Sequence, residues 1–474
     1  MANESKKISE LTELETLTGD EWFAVAKGNG NNKVGIEAVA GYVARQVEVE
    51  DLLSYGVEID TAVSSPQLPR VGNLSLHRTL PVQSAMRGCL LGDDGQVVKY
   101  LDAEDWTGET RDGSLGQVMV ELPRHWRKCA LTTGTKLEVR LSVFPLAGYV
   151  EVPKMYISAY EAAIDRSTAG TPKLASVRNM AANFRGGNNN AEWDGTYRTL
   201  LGRPASVTSR TNFRAYARNR NNSATAEWNC QAYEAYKAVY WFFAVEYATL
   251  DAQADYNAQP TAEGFRQGGL GDGVTTFNGT DWANFNNYYP FVPCGHTDSL
   301  GNGTGVVAYT ATNADGTVTY TFQVPRYRGI ENPFGHLHKW TDGINIRISP
   351  DTGSGGDGLS KVFVCADPSK FSDTGYEGYT YVGDEARTSG YIKEEILGAG
   401  AEIIPKAVGG GSTTYFCDYH TTSIPAAETL RGVLFGGHAS IGAVAGLACA
   451  DSHYAPSNTS AHIGSRLCFI PETA

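Results

Sequence analysis

The sequence predicts an α+β fold that is mainly β and divided into more than one domain. Three observations lead there. Short apolar or alternating runs bounded by Gly, Asn and Asp recur along most of the chain. The 53 glycines, with many Asn, Thr and Ser, point to a turn-rich build. Helical spacing is confined to a few stretches. With 474 residues the chain is too long for one hydrophobic core. Boundaries are expected at residues 1–48, 49–150 and 151–474.

In the first unit, Trp22-Phe23-Ala24-Val25-Ala26 and Lys33-Val34-Gly35-Ile36 flank a Gly/Asn turn from Gly28 to Asn32. This reads as a hairpin, followed by a short helix from Glu37 to Arg45. Such a segment has too few apolar groups for an independent core, so a partner or self-association is expected to stabilise it. The second unit opens with a linker around Pro66 to Pro69. Strands follow at Val97–Leu101 and Gln117–Leu122, with a turn at Gly92-Asp93-Asp94-Gly95. In the third unit, helical periodicity is clearest at Tyr156–Asp165 and Cys230–Tyr256. In the latter, Tyr233, Tyr236, Val239, Tyr240, Phe243, Tyr247 and Leu250 fall at three- and four-residue steps, a core stripe.

Composition narrows the function classes. Hydrophobic residues at 42% exclude a disordered chain. The 39 basic against 52 acidic residues, net charge -13, leave no basic face for nonspecific nucleic-acid binding. The start of the chain is polar, so no secretory signal is expected, and no apolar run is long enough to insert in a membrane. The eight cysteines show no CxxC pair or His/Cys cluster and read as buried thiols, with a distant pair such as Cys417 and Cys468 left open. His336-Leu337-His338 would place both rings on one face of a strand, but no further ligand stands at the usual offset. No G-x-S-x-G elbow or P-loop occurs, no metal or other cofactor is expected, and the chain is read as no enzyme. A carboxylate pair acting on polysaccharide is not recognisable without geometry.

The segment KISELTELETLTGDEWFAVAKGNGNNKV resembles the N-terminal attachment segment of bacteriophage head and tail fibres, over about 30 residues. The C-terminal region resembles the C-type-lectin-like fold shared by formylglycine-generating enzymes and phage tropism determinants. The resemblance is carried in order by Tyr156–Ala162, Arg214–Arg220 leading to Val245-Glu246-Tyr247-Ala248, Tyr327–Gly335 with Trp340-Thr341-Asp342-Gly343, and Arg431–Gly437 with Ile463–Phe469. It implies an early helix at Tyr156–Ala162 and a buried Arg466 held by a charge partner or by backbone carbonyls, with Glu331 or Asp342 as its counterparts. The cysteine pattern of the enzymatic branch is missing, as are the Glu-Pro-Asn motifs by which sugar-binding lectins hold calcium.

The resemblance also places an exposed loop between the last two strands. Ligand contacts are expected there from His438, Ser440, Ile441, Val444, Leu447, Asp451, His453 and Tyr454. It further implies a homotrimer that is a component of the virion, joined to capsid or tail proteins by its N-terminus and to a host-surface glycan or protein by its head. A passive surface loop on a purely structural decoration protein is the alternative.

Overall fold

The computed structural model describes residues 22–27, 30–35, 49–178, 184–185, 187, 202–285, 291–313 and 315–472. The first two segments form the expected hairpin. Strands Trp22–Lys27 and Gly30–Gly35 pair antiparallel, from Trp22 opposite Gly35 to Lys27 opposite Gly30. The pairing runs closer to the turn than expected, so Gly30, Asn31 and Asn32 belong to the second strand. Among the described residues this hairpin pairs with no other strand. The helix expected at Glu37–Arg45 lies outside the described residues.

The boundary expected near residue 150 runs through a sheet. Six antiparallel strands lie in the order Trp228–Cys230, Leu467–Phe469, Met155–Ser158, Gln117–Leu122, Arg87–Leu91 and Val97–Tyr100. Residues before and after 150, and the C-terminal end, therefore share hydrogen bonds and one apolar core that extends from Tyr55 to Ile470. A five-stranded antiparallel sheet (Val150–Val152, His125–Thr133, Lys136–Ser142, Ser54–Asp60, Arg70–Gly72) packs on the same core.

Helix Tyr233–Tyr247 is the centre of that core. Every residue but Glu234 is buried, which is what an all-round apolar helix requires. Its polar tips find partners: Trp241 Nε1 donates to the Ala401 carbonyl at 2.7 Å, and the Tyr236 hydroxyl donates to that of Leu447 at 2.6 Å. The helix ends at Tyr247, nine residues before the periodic pattern would have ended it, and Ala248 after it adopts a left-handed conformation. The helix expected at Tyr156–Asp165 is absent. Met155–Ser158 and Ala163–Asp165 are strands in two different sheets. Both faces of Met155–Ser158 are buried, so its apolar spacing carries no period-two signal.

A nine-stranded sheet carries the C-terminal half. Its centre is the long strand His338–Ile348, between Ser360–Val364 and Thr429–Phe435. Beyond Thr429–Phe435 lie Ala450–Asp451, Tyr419–Thr421, Gly390–Leu397 and Glu402–Val408. Ile463–Gly464 runs parallel to the start of the long strand. Among the described residues no helix is long and apolar enough to cross a membrane, and all eight cysteines are free thiols.

Buried ions brace this framework. Arg214 Nε donates to Asp342 at 2.5 Å, and both Arg214 and Arg210 reach Asp373 at 2.7 Å. Arg466, 1% exposed, donates to the backbone carbonyls of Ser158, Glu331 and Asn332. The carbonyl reading of Arg466 therefore holds, with Glu331 acting through its backbone. Asp342 serves Arg214 instead.

Candidate functional site

The loop after strand Thr429–Phe435 leaves the sheet through two glycines that the chain cannot replace cheaply. Gly436 and Gly437 have φ of +92° and +77°, and a Cβ on Gly437 would stand 2.7 Å from that of Ala445. Nine residues further on, Gly446 (φ +142°) passes so close to Asp418 that a Cβ would overlap its carboxylate. These close approaches fold the loop onto the sheet.

Backbone hydrogen bonds then pin it. Gly436 N donates to the Cys449 carbonyl at 3.0 Å, Ala439 N to that of His336 at 3.1 Å, and Gly442 N to that of Thr275 at 2.9 Å. The Ala439 carbonyl accepts from Phe277 N at 2.7 Å, and the Ala445 carbonyl from Gln253 Nε2 at 2.6 Å. Asp418 accepts from Ala448 N at 2.6 Å. Ala439, Ala445 and Ala448 are fully buried. What composition marks as a small, undemanding loop is a packed platform.

The eight residues expected to be exposed divide accordingly. Leu447 is 1% exposed and Asp451 6%, and both are corrections. Leu447 belongs to the core because its chain segment is held under Tyr236. Asp451 lies in a strand between Leu434 and Thr421. The other six, His438, Ser440, Ile441, Val444, His453 and Tyr454, are half-buried and face outward in part. Ala443 and the segment Ser457–Thr459 are the exposed positions of this region.

Three histidines from distant parts of the chain meet here. The rings of His438 and His462 stack with centroids 4.4 Å apart, and His338 lies 4.9 Å from His438 and 6.0 Å from His462. His338 is 5% exposed, and its Nδ1 has no hydrogen-bond partner. Burial, reinforced by the His462 ring, holds His438 down to about 3. Burial likewise takes His462 to about 4, with Asp451 opposing the fall. All three are neutral at pH 7. Beside them His453 packs on Tyr454 with ring centroids 3.7 Å apart, and its Nδ1 lies 2.7 Å from Asp451 Oδ1.

His336 and His338 do not share a face. The strand begins only at His338, while His336 has φ +57° and turns its ring inward. There Nδ1 meets Glu161 at 2.5 Å, and Nε2 accepts from Phe291 N and Val292 N at 3.0 and 3.2 Å. Burial pushes the Glu161 carboxyl up, but Lys339, 2.9 Å away, and His336 outweigh it and hold it at about 2. Among the described residues no group of three or more His, Cys, Asp or Glu is arranged to hold a metal ion.

Under the loop lie carboxyls whose charge state burial decides. Glu385 accepts from Ser452 Oγ at 2.9 Å and Thr422 Oγ1 at 3.3 Å, and burial pushes it up to about 8. Burial also raises Glu395, both of whose oxygens lack hydrogen bonds, and Asp418 beside it. Cavities of about 570 and 390 Å³ lie elsewhere, beside Glu227 and Pro471. The sequence reading missed His338 and His462 as members of this patch. They stand 100 and 24 residues from His438, and no local spacing announces them.

In class, then, the chain is a mainly β scaffold carrying a half-buried polar and aromatic patch on a pinned loop. No family model matches the sequence, and no curated protein does. Among solved structures, the chain is similar to PvdO from Pseudomonas aeruginosa at 10% identity and a TM-score of 0.31, over 76% of this chain and 97% of that one. It is also similar to the U1 variant of the Major Tropism Determinant, at 13% identity and a TM-score of 0.25, over 81% of this chain and 71% of that one. The P3c variant matches over the same shares, with 13% identity and a TM-score of 0.23.

Proposed function

We propose that this chain is a fibre or receptor-binding protein of a bacteriophage particle, with a C-type-lectin-like head and no catalytic role. Its N-terminal segment docks to capsid or tail proteins, and the patch around the 438–454 loop binds a glycan or protein of the host surface. The observation that carries the reading is the platform. A loop whose backbone is fixed at both ends offers side chains to a partner without ordering cost on binding. The ordered sequence motifs of the fibre and tropism-determinant families support it. So does the hairpin Trp22–Lys27/Gly30–Gly35, whose strands pair only with each other among the described residues. A homotrimer would give that hairpin a partner and multiply a modest single-site affinity.

A structural decoration protein is the second reading. The Ile441-Gly442-Ala443-Val444 end of the loop favours it, because an apolar tip suits a fixed protein neighbour. The test is competition for adsorption. Purified chain, its oligomer size checked by light scattering, is expected to block phage attachment to host cells. A chain with Ser or Gly at the six outward-facing positions, and with Leu447 and Asp451 kept, is expected not to block. Absence of cell binding by both would leave the structural reading.

A further inference from the structure

From Leu141 to Val150 the chain reads Leu-Ser-Val-Phe-Pro-Leu-Ala-Gly-Tyr-Val, without a charge in a protein of net charge -13. This run joins strand Lys136–Ser142 to the edge strand Val150–Val152, and it does not fold inward. Phe144 is 49% exposed and Val150 55%, with Val143, Pro145 and Ala147 exposed between or beside them. Apolar groups left in water forgo the free energy that burial would recover. Yet the loop is held in place. Ser142 Oγ donates to the Leu53 carbonyl at 2.9 Å and accepts from Phe144 N at 3.0 Å, and the Tyr149 hydroxyl donates to Glu50 at 3.0 Å. These bonds tie it to the short helix Val49–Leu53. The charges of that helix are turned into pairs, Glu50 with Lys128 at 2.8 Å and Asp51 with Arg140, and Val49 and Leu52, one turn apart, are left exposed.

We infer that the patch formed by Val49, Leu52, Val143, Phe144, Pro145 and Val150 is the surface through which copies of this chain assemble with one another. This deepens the multi-copy fibre reading given above and rests on its assembly part.

Three features favour a second copy as the occupant. Copies that each carry a net charge of -13 repel over much of their surface, so they meet most favourably where neither presents a charge. The same apolar patch recurs on every copy, and apolar against apolar is self-complementary around a symmetry axis. The path of the chain is the third. Val49 is where it arrives from the hairpin Trp22–Lys27/Gly30–Gly35, through residues 36–48, a link that spans at most about 45 Å. An isolated two-stranded hairpin is marginally stable, and this one pairs with no other strand among the described residues. A stable contact buries about 800 Å² on each partner, more than six partly exposed side chains supply. The hairpin, tethered to the edge of the patch, adds surface to the same contact, and another copy brings both elements at once.

Sedimentation velocity of the full chain over a range of concentrations tests this. The natural chain is expected to self-associate. Leu52→Asp with Phe144→Asp is expected to raise its dissociation constant at least about tenfold, because a charge then has to be buried at each contact. Both side chains stand in water in a single copy, so circular dichroism is expected to stay unchanged. Should it change, Phe144→Ser alone serves, with weakening expected in the same direction. Tyr381→Asp is the control, since Tyr381 is equally exposed but lies on strand Thr380–Asp384 of another sheet, and it is expected to leave association unaltered. The proposal is overturned if the natural chain stays monomeric throughout, or if the patch variants associate as tightly as it does. Adsorption competition is read separately. A chain that assembles through the patch and never blocks adsorption keeps this interface and rejects the receptor reading, and a monomeric chain that blocks adsorption does the reverse.

Discussion

Two buried polar regions of this molecule differ in one respect: whether opposite charges meet. Around helix Arg210–Arg218, Arg210 and Arg214 face Asp342 and Asp373. Burial raises Asp373, but the two guanidiniums outweigh it and hold it at about 2. Around the 438–454 loop burial is the largest influence instead, raising Glu385, Glu395 and Asp418 and lowering the three histidines. In the first region Asp373 therefore keeps its charge well below the usual carboxylate range. The second keeps its groups neutral, acids protonated and imidazoles unprotonated, and so titrates. A rigid frame and a responsive surface thus differ in whether a facing guanidinium or burial decides the charge state.

The largest expected effect comes from breaking the matched region. Asp342→Asn leaves Arg214 buried with Asp373 as its remaining anion, and the loss of one partner is expected to cost about 3 kcal/mol in urea unfolding. Gly446→Ala attacks the loop side, where a Cβ meets the Asp418 carboxylate at a φ of +142°. A loss of about 2 kcal/mol is expected, since both backbone strain and overlap oppose the change.

The comparison is sharpened by pH. Glu385 holds its proton to about 8 when folded, while the unfolded chain releases it near 4.5. The folded state binds more protons across that window, so stability falls as pH rises from about 4.5 to 8. Glu385→Gln is expected to flatten that fall in the urea midpoint. The histidines act in the opposite sense. The unfolded chain takes protons below about 6.5 that folded His438 and His462 refuse, so stability also falls as pH drops from there toward 4. The smallest effect is expected from Ser440→Ala on the outer face, within about 0.5 kcal/mol of the natural chain.

The sequence made the matched frame more legible than the responsive surface. Strands Val97–Tyr100 and Gln117–Leu122, the N-terminal hairpin and the aromatic stripe of helix Tyr233–Tyr247 announce themselves through local pattern. Tyr156–Asp165 misleads because a strand buried on both faces shows apolar residues at any spacing, including a helical one. The division at residue 150 fails for a related reason. Gln117–Leu122 and Met155–Ser158 pair across it, and pairing partners leave no mark on either segment alone. In the loop, Ala439, Ala445 and Ala448 suggest a loose surface by composition, yet their smallness is what allows close packing beside Gly436 and Gly437. The histidine cluster is a product of tertiary structure throughout.

The claim on which the rest depends is that the loop is a fixed platform. Amide hydrogen exchange at pH 7 tests it directly. Gly436, Ala439, Gly442 and Cys449, whose N–H groups all donate to carbonyls, are expected to exchange with protection approaching that of the central strand His338–Ile348. Exchange at the rate of an open chain at these four positions would contradict it.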